Sequence, residues 1–331
     1  MKLLLLAAIF AQGNPFEPDA RSCVLAQGKD ALVAKAGSQK RPFGKSYYLL
    51  NVPATFAKQK PGLILCLHGS GGRPENYSGM YASAGSKGHI VMLPASNEAQ
   101  GYNGDDVKQI VEMVEEVVKT FNVDRDRIMA SGHSAGGFTS LYLAAARPDL
   151  FTAVGSVSAG VMVQGLDACK HIPFYIVSGK KDFNNKQATA FVEQLKKGDF
   201  EVTFEYPADW DHNPPQAAWD HLFAWFEGLL PAADLAALQS ARASIEKKQW
   251  GKAGAAVKKL AASKTATAQA KRRAARINDD VTVEGQKALD DAKAAADDAK
   301  KAIDILTKAK AAFEGSEIGE KIDATLKELK K

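Results

Sequence analysis

The run Gly132-His133-Ser134-Ala135-Gly136 fits GxSxG, a pattern in which the serine hydroxyl is a nucleophile. Arg127–Ala130 reads as a short strand before it, and Phe138–Ala146 as a helix after it. A sharp strand-to-helix turn lifts such a hydroxyl above a sheet, and the flanking glycines let neighbouring backbone pass close by. The helix amino terminus adds positive potential where an oxyanion would form. A bland turn serine is the plainer reading of Ser134; the flanking elements favour the nucleophile.

A serine nucleophile needs a base, and the chain has six histidines. On elbows of this kind the chain order is serine, then acid, then histidine. His171 precedes the good acid candidates, and His221 sits in a helix, turned away from its apolar face. His212 lies in the loop Ala208–Asn213, between the last strand and Pro214-Pro215, where a base belongs. The orienting acid should follow a strand between the two. Asp182 does so, after Pro173–Val177, whereas Asp167 and Asp199 precede strands and Asp209 and Asp211 crowd His212. A carboxylate there would hold the imidazole tautomer and stabilise its charged form. His68-Gly69-Ser70-Gly71-Gly72 follows another strand, so the N–H groups of Ala135 and Ser70 are the expected oxyanion hole. Beside the base, Trp210 and Asn213 offer a substrate a flat apolar surface and a hydrogen-bonding group, although the tryptophan could equally pack under its loop.

The elements that must position these residues alternate between residues 45 and 230. Ser46–Val52, Gly62–Leu67, His89–Leu93, Arg127–Ala130, Ala153–Ser158, Pro173–Val177 and Val202–Tyr206 read as strands. Asp105–Phe121, Ala135–Ala146, Lys186–Lys197 and Pro214–Leu230 read as helices. That alternation predicts an α/β fold with a mostly parallel sheet covered on both faces.

Pro231 marks a change. Residues 231–331 hold 27 Ala and 17 Lys, and 25 of the 27 aromatic residues lie before them. One helix is expected across Leu235, Leu238, Ile245, Val257 and Leu260, with Trp250-Gly251 in its middle. A heptad seam then runs through Leu289, Ala292, Ala296, Ala299, Ile303, Leu306, Lys310 and Phe313, followed by a last helix carrying Ile318, Ile322, Leu326 and Leu329. These predict a helical hairpin or small bundle, to which a protein partner could dock. Its basic residues are interleaved with acids, unlike a nucleic-acid-binding surface.

With 46% hydrophobic and 24% charged residues, the chain is globular, not disordered or fibrous. Three cysteines exclude a disulfide-stapled scaffold. Met1-Lys2, the apolar run Leu3–Phe10 and Ala11-Gln12-Gly13 predict a signal peptide over residues 1–13. The run is shorter than the roughly 20 residues of a membrane span. The expected organisation is therefore a signal peptide, a catalytic domain over 14–230 and a helical domain over 231–331. Export, periplasmic or extracellular, would put the cysteines in an oxidising compartment, where Cys23 and Cys169 could pair.

The runs Asp105-Asp106-Val107, Val123–Ile128, Gly132–Gly137 and Pro148–Phe151 resemble polyhydroxybutyrate-depolymerase-like esterases. Ser46–Pro53, Leu65–Gly72 and Gly179–Asp182 are similar too. Those proteins stand with feruloyl and acetylxylan esterases in the α/β-hydrolase superfamily. The resemblance spans roughly residues 45–230 and implies a secreted serine esterase without metal or organic cofactor. Separately, the near-neutral charge of the mature hydrolase region, the Trp210–Asn213 pair and the lack of a long apolar insertion that could form a lid predict a short-acyl or aromatic ester substrate, small or carbohydrate-borne. Asp211 stands where the family carries a glycine before the histidine. A peptidase or thioesterase on the same triad is the alternative, as is a tethering protein whose tail docks a partner. Gln249–Ala253 and Phe313–Leu329 are similar to tetratricopeptide-like helical pairs.

Overall fold

A computed structural model describes residues 32–330. The expected signal peptide and Cys23 lie outside that span. Two compact units make up the chain, one ending at Phe226 and the other starting at Glu227, a few residues ahead of Pro231.

The first unit is built on one sheet of eight strands: β1 (Gly37–Phe43), β2 (Ser46–Val52), β3 (Leu63–Leu67), β4 (Ile90–Pro94), β5 (Ile128–His133), β6 (Ala153–Val157), β7 (Phe174–Val177) and β8 (Val202–Glu205). Their order is β1-β2-β4-β3-β5-β6-β7-β8. β2 pairs antiparallel with β1 and β4, and every other pair is parallel. All seven strands read from the sequence are present; β1 is an addition. It is a polar edge strand, hairpinned onto β2 with Gly37 opposite Val52 and Phe43 opposite Ser46.

Helices cover both faces. On one, Leu63, Leu65, Leu67, Ile90 and Met92 pack against Val107, Ile110, Val114 and Val117 of α3 (Gly104–Thr120). Asn103 starts that helix by accepting the N–H groups of Asp105 and Asp106, while the Asp106 carboxylate accepts the Asn103 N–H. Further along, Val154, Phe174 and Ile176 pack against α4 (Ala135–Ala146) and α5 (Asn185–Lys197) through Leu141, Phe191 and Leu195. The opposite face carries α6 (Gln216–Gly228), whose Trp219 and Phe223 rings lie 5.1 and 5.2 Å from that of Tyr81. Two short helices, α1 (Pro74–Tyr77) and α2 (Ala82–Ser86), link β3 to β4. Because β3 to β8 run parallel, the loops after β3, β5, β6, β7 and β8 gather at one edge.

The second unit consists of α7 (Ala232–Glu246), α8 (Trp250–Ala262), α9 (Ala268–Ala294), α10 (Ala299–Phe313) and α11 (Glu317–Leu329). The sequence-based reading of this region needs two corrections. Residues 235–260 are two helices, because the chain turns at Lys248, which adopts φ 56°. The expected heptad seam is likewise divided at residues 295–298, where the Asp298 side chain caps α10 by accepting the Lys301 N–H. The buried stripe of α10 is Ala302, Leu306, Ala309 and Phe313, so Ala299 and Lys310 face outward. Phe313 stacks on Trp250, 5.9 Å between centroids and 6° between planes.

Candidate active site

The elbow is shaped by its glycines. Ser134 sits between β5 and α4 with φ 51° and ψ −116°, a strained conformation that costs on the order of 1–3 kcal/mol and survives where the surroundings hold it. They do: the Ser134 N–H bonds to the Val157 carbonyl, and a Cβ at Gly136 would lie 2.2 Å from the Leu67 carbonyl oxygen. A Cβ at Gly132 would meet the Gly136 backbone at 2.5 Å. Both glycines of the motif are therefore demanded by packing, Gly136 against β3 and Gly132 against the first turn of α4.

Three loops bring Ser134, His212 and Asp182 together. His212 Nε2 lies 3.0 Å from Ser134 Oγ, and its Nδ1 donates to Asp182 Oδ1 at 2.8 Å. Asp182 is fully buried and also accepts the Asn184 N–H at 2.8 Å. Burial by itself would raise its pKa, but the bonds from His212 and Asn184 outweigh that and hold the carboxyl below the ordinary value. An ionised Asp182 is the form that orients His212 and would stabilise its imidazolium.

Most N–H donors of the loop after β3 are already engaged within the protein. The N–H of His68 goes to Tyr102 Oη, that of Gly69 to Tyr77 Oη, that of Gly71 to Ala99 and that of Gly72 to Gly69. This leaves the N–H of Ser70. The N–H of Ala135 is in the first turn of α4 and has no acceptor within its helix. Gly101 lies between the two: a Cβ there would be 3.0 Å from Ala135 Cβ and 3.8 Å from Ser70 Oγ. His68 cannot serve as the base, because its Nδ1 donates to the Gly69 carbonyl and its Nε2 accepts the Ser96 N–H.

The Trp210 ring lies beside His221, 6.4 Å between centroids, and Asn213 is exposed. The ring on the base is that of Phe183, which sequence reasoning passed over. So did it pass over Tyr77, whose hydroxyl reaches His133 of the elbow at 2.9 Å. Neither residue belongs to a motif. Among the described residues no cluster of three or more His, Cys, Asp or Glu is placed to hold a metal ion, and no helix is long and apolar enough to cross a membrane.

Residues 97–197 match the model of the prolyl oligopeptidase family, a stretch that holds Ser134 and Asp182 and ends before His212. A feruloyl esterase B of Talaromyces funiculosus is 30% identical over 159 residues, covering 42% of this chain and 44% of that protein. An acetylxylan esterase of Coprinopsis cinerea is 32% identical over 128 residues, 34% of either chain. The first unit has the α/β-hydrolase fold. The chain spans under half the length of these curated relatives. A carboxylesterase structure from Bacillus cereus aligns at 17% identity with a TM-score of 0.47, covering 55% of this chain and 94% of that one. The likeness to feruloyl and acetylxylan esterases read from the motifs is thus found again in comparison with curated proteins, over part of the chain.

Proposed function

We propose that the hydrolase is a serine carboxylic-ester hydrolase, acting on short-acyl or aromatic esters and exported by its amino-terminal segment. The hydrogen-bonded series Ser134–His212–Asp182, with the serine on a strained elbow, carries this reading. His212 takes the Ser134 proton as Oγ attacks the ester carbonyl, and the N–H groups of Ala135 and Ser70 face the oxyanion. His212 then protonates the leaving alcohol, and water, activated by the same imidazole, releases the acyl group. The names of the relatives support acetyl and feruloyl groups as the acyl part. The match to the prolyl oligopeptidase family favours a peptidase as the second reading.

A fluorophosphonate probe and a substrate panel test the proposal. Labelling that is lost in Ser134→Ala, with kcat/KM higher for acetyl or feruloyl than for decanoyl esters, is expected. An unlabelled wild-type chain would overturn it. Preference for decanoyl esters would make the protein a lipase, and peptide cleavage with all esters slow would make it a peptidase.

A further inference from the structure

The variable residue of the elbow, His133, is only 7% exposed and engages both loops that flank the nucleophile. Its Nε2 lies 2.6 Å from the His212 carbonyl oxygen, which can only accept, so the ring proton is on Nε2. In the neutral ring Nδ1 is then an acceptor, and it takes the Tyr77 hydroxyl proton at 2.9 Å. The Tyr77 oxygen in turn accepts the Gly69 N–H at 3.0 Å. Each proton in this relay is used once. Ser158 Oγ also donates to the His212 carbonyl, at 3.2 Å. The contact is close as well as polar: a Cβ on Gly69 would lie 3.0 Å from His133 Nδ1 and 3.4 Å from Ser134 Cβ.

We propose that His133 is a positioning residue that fastens the oxyanion loop to the base loop across the elbow. The inference rests on the esterase reading above. At one end the relay holds Gly69, whose neighbour Ser70 supplies an oxyanion donor. At the other it holds the backbone of His212. The hydrogen bonds of His133 go to Tyr77 and to the His212 backbone, and its ring lies 5.0 Å from the His212 ring. His133 sets the distance between a donor and a base that lie on different loops, and rates fall steeply when such distances loosen. An apolar residue at this position would fill the space and leave the loops unconnected.

The test compares Tyr77→Phe, His133→Leu and His133→Gln with wild type, using 4-nitrophenyl acetate and the rate of Ser134 labelling by a fluorophosphonate. Tyr77→Phe and His133→Leu should lower kcat roughly tenfold to hundredfold, with KM within about twofold, and slow labelling in parallel. Glutamine keeps one donor and one acceptor, so His133→Gln should recover most of the loss. If His133→Leu does not fold, Tyr77→Phe, which removes a single hydroxyl, decides alone. Wild-type kcat in Tyr77→Phe, or glutamine no better than leucine at equal Tm, would overturn the proposal in an active enzyme. An inactive, unlabelled wild type would instead sink the esterase reading and this inference with it.

Discussion

The Phe183 ring lies on the His212 imidazole, 3.9 Å between centroids and 29° between planes, while 69% of the residue stays exposed. In the proposed reaction His212 protonates the leaving alcohol, which would put this ring on the alcohol side of the bond to be cut. Aromatic pairing contributes about 0.5–1.5 kcal/mol beyond area burial, a factor of roughly 2–10 in rate. Phe183→Ala should lower kcat/KM for acetates of ring-bearing alcohols by that factor and leave ethyl acetate nearly unchanged. Equal losses on both substrates would deny Phe183 a part in selectivity.

Asp182→Asn should keep the fold, because the amide fills the same buried space and still accepts the Asn184 N–H. Activity should fall by about 10⁴, as loss of the orienting carboxylate does in serine proteases. Ester turnover together with an unaltered circular-dichroism spectrum is the measurement.

Glycine substitutions should separate packing from accident. Gly136→Ala drives a methyl to within 2.2 Å of the Leu67 carbonyl oxygen in the centre of the sheet. Overpacking costs typically about 1–3 kcal/mol, and rigid backbone puts this position at or above the upper end. Gly79→Ala meets nothing within 4 Å and should leave Tm unchanged. A thermal melt of the two variants checks both.

Acid should destabilise the hydrolase. Burial lowers the pKa of His68 and of His133, since it penalises the charged imidazole. As pH falls, the unfolded chain takes up these protons first, near the ordinary value of about 6.5. Stability is therefore full above that pH and declines as pH drops through the folded values. Asp182, also held low, extends the loss to more acid conditions. Asp106 works the other way, because burial raises its pKa and stability lost through it returns on acidification. Tm should fall between roughly pH 7 and pH 5, and the fall should be shallower in His133→Gln.

That Ser134, His212 and Asp182 meet was legible because a motif, a fixed chain order and strand ends all point to the same loops. Tyr77 was not: its partner is 56 positions away, and nothing in Asn76-Tyr77-Ser78 marks the hydroxyl as anything but a helix-end polar group. Phe183 adjoins Asp182 in the sequence, yet its contact with His212 depends on how two loops meet. β1 escaped notice because Gly37–Phe43 is mostly exposed, with no apolar alternation to betray a strand. In the helical unit, alanine at so many positions gives little contrast between faces. The expected and the buried faces of α10 share Leu306 and Phe313 and differ by Ile303 and Lys310 against Ala302 and Ala309.

The two edges of the sheet bear on how the protein behaves at high concentration. An open sheet ends in unpaired backbone groups, which invite a strand from another molecule. Here one rim is β1, where Lys40 pairs with Glu75 and Arg41 with Glu116, and Pro42 lacks the N–H a ladder needs. The other rim, β8, is only four residues long and ends in Glu205. Among the described residues neither rim offers a long, flat, apolar template, so both disfavour edge-to-edge growth into fibrils.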